Sequence, residues 1–553
     1  TQNYSTATDS HNTAVGYHSG LYLTTGTHNT LIGSEAGDAI TTGSWNTFLG
    51  YNAGTNLTTG ETNTGLGIRA LASATTATGN VAIGGEAGDD ITTGTNNTVV
   101  GLIAGTDLTT GIDNSFFGKG AGANTTTSNF NVAVGRDALF TNTTGTQNVA
   151  IGTSAMYYTT SGSQNTAVGT NALDSNTTAG TNVAVGYQAM FDNTTGANNT
   201  AVGYLALGNN TTAAGNSAVG YKALEDCTTG HSNAASGPYA LSNVTTGDKN
   251  TAVGYSAGAR ITTANEFTAV GYYAGLYATG GSCTFVGEAA GRGVDGSSTA
   301  TNNTAVGRNA LYAYTSGDTN QAFGKDSLIA CTSGTNNSGY GNSTLAGVTS
   351  GTSNTAMGSA AGNNITTGIA NICIGVGPNP SSASAQEQIV IATNATSGAG
   401  DNTVRFGSDT GTVYIALDNS TTSWTKSSDE RLKENIETST AGLSFINDLR
   451  PVTFDWKKKR DIPEDMKFNY SHVADDAPCV GNGKKVHGFI AQEVEAVIAN
   501  HPEVVEGNSI TDIDAQGVHS LADGAMMPMM VKAVQELSTA LDAALARIAT
   551  LEG

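Results

Sequence analysis

The sequence predicts a mostly β protein: a repetitive β-solenoid or β-roll rod, then a small α+β domain that ends in a coiled-coil helix. Three observations predict it. A 17-residue unit recurs from His11 to about Gly377, glycine fills the sixth place of every unit, and the composition shifts abruptly towards Lys and Arg after Ser427.

The first unit reads HNTAVGYHSGLYLTTGT, followed by HNTLIGSEAGDAITTGS and WNTFLGYNAGTNLTTGE. Sixteen unit starts fall 17 apart, from His11 to Glu266; the next unit is one residue short, and the one carrying GRGVDGSSTAT is longer. Counting both gives 22 units. Periods of this length mark repeat architectures in which each unit buries its apolar face only against its neighbours.

Each column has a physical reading. Place five is apolar (Val15, Ile32, Leu49, Ile83, Phe117, Val134), with Ser236 the exception, and is expected to face a core shared by stacked units. Place four is most often Ala (Ala14, Ala82, Ala133, Ala150). Neighbouring strand residues face opposite sides, so places four and five cannot share a face; the place-four face is expected to be buried by trimerisation. The glycine that follows suits a bend or a close backbone approach. Asn holds place two in 20 units, suiting a turn that tolerates αL, and Thr24-Thr25-Gly26 and its repeats read as a second turn. Two short strands and two turns fit in 17 residues, whereas a βαβ unit does not. Coils about 4.8 Å apart would stack into a rod on the order of 100 Å long.

NTAVG, NVAIG and NSAVG resemble the strand signature in the heads of trimeric autotransporter adhesins, which implies a left-handed roll that trimerises. Acidic residues such as Glu35, Asp38, Glu86, Asp89, Asp90, Glu225 and Asp226 recur in no full column and read as solvated loop positions. Tyr17, Tyr51, Tyr187, Tyr204, Tyr221, Tyr255 and Tyr272 share place seven and read as a packing or surface ladder ahead of a sugar-stacking one.

Composition excludes several classes. Charged residues are only 12% and the net charge is −22, which disfavours nucleic acid and anionic membranes as partners. No stretch of 18 apolar residues exists to insert in a membrane. Five scattered cysteines fit neither a disulfide framework nor a zinc site and read as small buried hydrophobes, so no metal and no cofactor is expected. The opening TQNYSTATDS has neither a starting Met nor a signal peptide, so residues 1–10 read as a tail or a connection to an upstream region.

From Pro378 the unit fades into a β-rich neck, 378–427. Nine Lys and Arg lie in the repeats, two in the neck and twelve in the last 126 residues, which form a separate domain, 428–553. There ETSTAGLSFINDL predicts a helix, PVTFDWKK a strand, and VHGFIAQEVEAVIANHP a strand leading into a helix. Met527, Met530, Val534, Leu537, Leu541, Ala544, Ile548 and Leu551 alternate spacings of 3 and 4, an a/d seam that predicts a coiled coil at about 525–551. An amphipathic helix packed on its own domain is the alternative.

SSDERLKENI, followed by LRPVTFDW and VHGFIAQEVE, resembles the C-terminal intramolecular chaperone of phage endosialidases and tail fibres, the peptidase S74 family. The resemblance implies a domain that trimerises, guides the folding of the β-rich fibre before it, and then cuts itself off. The family's Ser-Asp-x-Arg-x-Lys motif falls on Ser428, Asp429, Arg431 and Lys433. It implies Ser428 as nucleophile, Lys433 as its base, support from Asp429 and Arg431, and a cut between Ser427 and Ser428. A lysine serves as base only when burial or cationic neighbours lower its pKa. Residues five apart sit about 140° apart on a regular helix, so either this stretch is not regular helix or the pair forms between chains. Without the motif, Ser428 would read as an N-cap.

The expected protein is a homotrimeric tail fibre of a virion, made in the host cytoplasm. Its expected partners are a host-surface receptor (a glycan or a surface protein) and a virion or tail protein at the N-terminal end. A bacterial surface adhesin with the same maturation domain, and a polysaccharide-degrading tailspike, are the alternatives. Self-cleavage is the only enzymatic activity expected.

Overall fold

The structure, a computed structural model, describes residues 10–408, 411–416, 436–464, 467, 474–479, 485–505, 510–513 and 519–552. The chain forms two compact units, Thr1–Ser427 and Ser428–Gly553.

The first unit is a parallel β-solenoid. Among the described residues, its parallel strands run from β1 (Thr13–Val15) to β24 (Thr403–Ser408), each paired in parallel with the next. Places three, four and five of one coil face the same places of the next, as in Thr166↔Val183, Ala167↔Ala184 and Val168↔Val185. This register survives the short and the long unit, with Thr268↔Thr284 and Thr284↔Thr304, so the irregular lengths are taken up on the turn side.

Each regular coil holds one three-residue strand where two were expected. The rest of the coil bends because places one, eight and ten adopt positive φ, as at Gln164 (62°), Asn171 (54°) and Leu173 (54°). Those bends still bond coil to coil: Leu173 N–H donates to Ala189 O at 2.9 Å, and Thr177 N–H to Thr194 O at 3.0 Å. Place-fourteen threonines add a second bond, with Thr58 Oγ1 donating to Thr75 O at 2.9 Å.

The two strand faces exchange their expected roles. Place four is the interior: Leu31, Phe48, Ala82, Ala133 and Ala150 are fully buried, whereas Val15, Leu49, Phe117 and Val134 of place five lie outside. Bulk alone would put the larger residue inside. A 17-residue coil encloses little space, so alanine suits place four, and a larger residue enters where glycines make room, as Phe48 does against Gly54 and Gly65. Volume is also traded within many coils between places ten and thirteen. Glycine at ten accompanies a large residue at thirteen (Gly37 with Ile40, Gly54 with Leu57), and Leu or Met at ten accompanies a small one (Leu139 with Asn142, Met156 with Thr159). Four of the five cysteines fill such interior places as free, buried thiols. Burial pushes the thiols of Cys227, Cys331 and Cys373 up to about 12.

The place-two asparagines are likewise buried, and the positive φ belongs to the residue before them. Asn46 Nδ2 donates to Gly60 O of its own coil at 3.0 Å, while Asn46 Oδ1 accepts the backbone N–H of Asn63 at 3.0 Å. An amide that bonds both ways along the stack leaves few buried polar groups unpaired.

The stack runs past Gly377, the expected end of the solenoid. Strands β22 (Ile372–Gly375), β23 (Ile389–Ala392) and β24 continue it in parallel, and β24 then pairs antiparallel with β25 (Gly411–Ala416). The neck is therefore two further coils and a hairpin, whose apolar strand residues keep the ladder after the turn signature has gone.

The second unit gathers α1 (Leu443–Asp448), β26 (Val452–Phe454), β27 (Val486–Gly488), α2 (Ala491–Ala499), α3 (Pro502–Val505), β28 (Thr511–Ile513), β29 (His519–Leu521) and α4 (Met527–Glu552). Its core is Ala441, Phe445, Leu449, Val494, Ile498, Val504, Ile510 and Met526. The helix expected from Glu437 begins only at Leu443, where Gly442 has φ −146° and the Glu536 carboxylate of α4 accepts the Leu443 N–H at 2.8 Å.

One substitution pair tests the glycine column. Gly186 has φ +138°, and a Cβ there would lie 2.4 Å from Gly203 O, whereas Gly85 at place seven has no positive φ and meets only the ends of Leu102 and Ile68. Gly186→Ala is expected to cost on the order of 3 kcal/mol, and Gly85→Ala to stay within about 0.5 kcal/mol of the parent. Equal shifts of the two variants in urea unfolding would refute the contact.

Candidate functional site

The candidate cleavage residues come first. Ser427, Ser428, Asp429, Arg431 and Lys433 all lie outside the described residues, so the Ser428–Lys433 pairing has no geometry here. What is described is the frame that follows it.

The two other motifs of the resemblance come together in that frame. LRPVTFDW supplies β26 and VHGFIAQEVE supplies β27, which pair antiparallel as Val452↔Gly488, Thr453↔His487 and Phe454↔Val486. The same two segments are clamped a second time. Arg450 Nε donates to Glu493 Oε2 at 2.9 Å and its Nη2 bonds the other carboxylate oxygen, a two-pronged pair. Sequence reasoning named both motifs without seeing this pairing, although an Arg and a Glu at fixed places in them were the available signal.

His501 forms a second tie. Its Nε2 meets Asp448 Oδ2 at the end of α1 and its Nδ1 meets Glu503 Oε1 in α3, each at 2.8 Å, while its ring stands edge-on to Phe445. The hydrogen bond with Asp448, then that with Glu503, raises the imidazole above its usual pKa. In return, the bond from His501 holds the Glu503 carboxyl below its usual range. Beside these ties lies an apolar cleft of about 570 Å³ lined by Ile446, Leu449, Val452, Phe489, Met526 and Met530.

Helix α4 packs by its N-terminal half: Ala533 is buried, and Met529 packs against the core of the unit. Its a/d seam faces outward, with Val534 66% and Leu551 81% exposed. In a single chain the packed-amphipathic alternative therefore accounts only for the opposite stripe.

On the solenoid, the acidic positions are tied from coil to coil rather than converging. Thr55 Oγ1 donates to Asp38 Oδ1 at 2.8 Å, Arg69 pairs with Asp89 at 2.5 Å, and Asn209 Nδ2 donates to Asp226 Oδ1 at 2.9 Å, while Glu225 pairs with Lys222 of its own coil at 2.9 Å. Asp174 is held up to about 6 by burial first and by the charge of Asp192 second. Among the described residues no His, Cys, Asp or Glu group could hold a metal ion. No helix of the described residues is long and apolar enough to cross a membrane.

The chain is thus a β-solenoid followed by a small α+β unit whose last helix exposes an apolar seam. Residues 428–503 match the family model Peptidase_S74, chaperone of endosialidase. This match and the stacked coils together support a protein of tail-fibre or tailspike type with an intramolecular chaperone. Comparison with the curated proteins and with the solved structures returns no significant match.

The His501 tie carries a sign. A histidine with a raised folded-state pKa stabilises fully below its unfolded value, about 6.5, and loses that contribution as pH rises through the folded value. Glu503 acts oppositely, its contribution being lost as pH falls through its lowered value. Protection of the 443–449 amides, read by hydrogen exchange on the full chain and corrected for intrinsic rates, is expected to fall as pH rises above about 6.5. His501→Gln should abolish that fall; a parent indifferent to pH would refute the assignment.

Proposed function

We propose that the chain is a homotrimeric virion tail fibre for host attachment, aligned by its chaperone unit and then released from it by Ser428–Lys433 self-cleavage. The observation that carries this reading is the place-five column, apolar and outward-facing along the stack, together with the outward a/d seam of α4. Contiguous exposed apolar surface of this extent marks an interface. A partner must repeat with the same coil spacing to cover it, and a second and third copy of this chain do so by construction.

Near-identical coils offer many slipped registers of similar energy. Three α4 helices joined at the C-terminus would set one register before the coils meet, which is the work of a chaperone in the same chain. In the cleavage step, Lys433 in its neutral form takes the proton of Ser428 Oγ as that oxygen attacks the Ser427 carbonyl carbon. The peptide C–N bond breaks, an ester to Ser428 Oγ forms, and the proton passes to the Ser428 amine. Water then hydrolyses the ester and leaves a fibre ending at Ser427. Once the aligner is gone, the fibre has no route back from unfolding, so its stability is a matter of unfolding rate.

Two measurements test the reading. Mass spectrometry of the expressed chain is expected to give products divided between Ser427 and Ser428, and Ser428→Ala to stay whole; an intact parent would refute the cleavage. In sedimentation, the parent is expected to run as a trimer and Ile151→Asp with Val168→Asp to weaken association by about tenfold or more. An unchanged assembly would remove place five from the interface.

A further inference from the structure

The tyrosine ladder changes character over a few coils. Tyr187, Tyr204 and Tyr221 stack flush, with centroids 5.4 and 5.1 Å apart and planes within 10°, so each ring face is covered by the next. In the following coil Pro238 takes place seven and the tyrosine moves to place eight. Tyr239 then stands at 70° to Tyr221 and 79° to Tyr255, and Tyr273 at 64° to Tyr255. Crossed rings thus join the flush ones (Tyr255 still stacks on Tyr272 at 5.5 Å and 21°), and Tyr239, Tyr255 and Tyr273 border an open groove of about 430 Å³.

The lining of that groove is unusual for this chain. Tyr239, Tyr255, Tyr273 and Tyr277 supply rings, while Ser242, Asn243 and Ser256 supply hydroxyl and amide groups. No carboxylate lines it, although the protein carries a net charge of −22. Arg260 does line it, exposed, and among the described residues its guanidinium has no ion-pair partner. Arg69 and Lys222, at place eight of their coils, are paired with carboxylates, whereas Arg260 stands at place twelve. The neighbouring coils are the irregular ones, where Arg292 lies over Tyr277 and Tyr312 at 5.1 and 5.2 Å and fixes the Tyr277 wall. All of these groups sit at places seven to twelve of their coils, after the strand.

We propose that this groove binds an anionic saccharide, the sugar rings stacking on Tyr255 and Tyr273 and the acidic group pairing with Arg260. Sugar faces are apolar and their edges hydroxylated, so crossed aromatic rings with small polar groups beside them match both. A free guanidinium adds a charge-assisted, two-pronged contact with a carboxylate or sulfate. The inference rests on the host-attachment reading and names the class of ligand it would use.

The test uses the full chain, saturation-transfer NMR and titration against uronate, sulfated and neutral oligosaccharides of matched length. At least one charged member is expected to bind, its neutral counterpart more weakly. Arg260→Gln is expected to weaken binding by about tenfold, and Tyr255→Ala to weaken it similarly. Tyr204→Ala, in the flush part of the ladder, should leave it unchanged, with equal melting curves for all variants. Binding of no charged member, equal binding of the neutral one, or full binding by Arg260→Gln would overturn the proposal. Adsorption of the chain to a panel of bacterial cells separates the two readings. Adsorption that survives Arg260→Gln overturns the groove and leaves host attachment standing, whereas a parent that adsorbs to no cell overturns host attachment itself.

Discussion

At the sixth place of each coil the backbone comes so close to the next coil that a side chain has no room. A Cβ on Gly152 would lie 2.5 Å from Gly169 O, and one on Gly169 would lie 2.3 Å from Gly186 O. The φ near +133° and +140° at these two residues is itself a glycine conformation. This contact turns the chain sharply out of its strand and sets one coil directly over the last. Strand register, the asparagine ladder and the exposure of place five follow from that placement. Because every coil meets the same requirement, the spacing between coils is uniform along the stack.

Uniform spacing makes each column of the repeat a continuous feature. Place two becomes a buried chain of amides, place fourteen a row of hydroxyl-to-carbonyl bonds, and place five an apolar stripe. The first two hold a single chain together. The third leaves surface uncovered, and the seam of α4 does the same in the second unit. Near-identical coils do not by themselves encode which coil should face which. The second unit is not repetitive, and its own packing is tied at Arg450 and at His501.

Departures from the repeat are concentrated in the coils between Pro238 and Tyr314. There the tyrosines cross, two phenylalanines (Phe267 and Phe285) enter the core edge-to-face, and the coil length varies while strand register holds. A rod tolerates irregularity on its turn side because the strands carry the register, and that is where surface chemistry can vary without disturbing the stack.

The sequence by itself determined the repeat, the solenoid, the separate C-terminal unit and its family, because each rests on spacing or on a contiguous motif. It also placed the seam of α4, since heptad spacing needs no tertiary information. Which face of the strand is interior was decided only by the tertiary structure. Hydrophobicity ranks valine above alanine, but the space inside so small a coil admits alanine and turns Val134 and Val168 outward. The same holds for Asn46 and Asn63, whose turn-like residue type concealed a buried ladder formed only when coils stack. Arg450 with Glu493, and His501 between Asp448 and Glu503, lie at separations fixed by the packing of helices and strands, which no local pattern encodes.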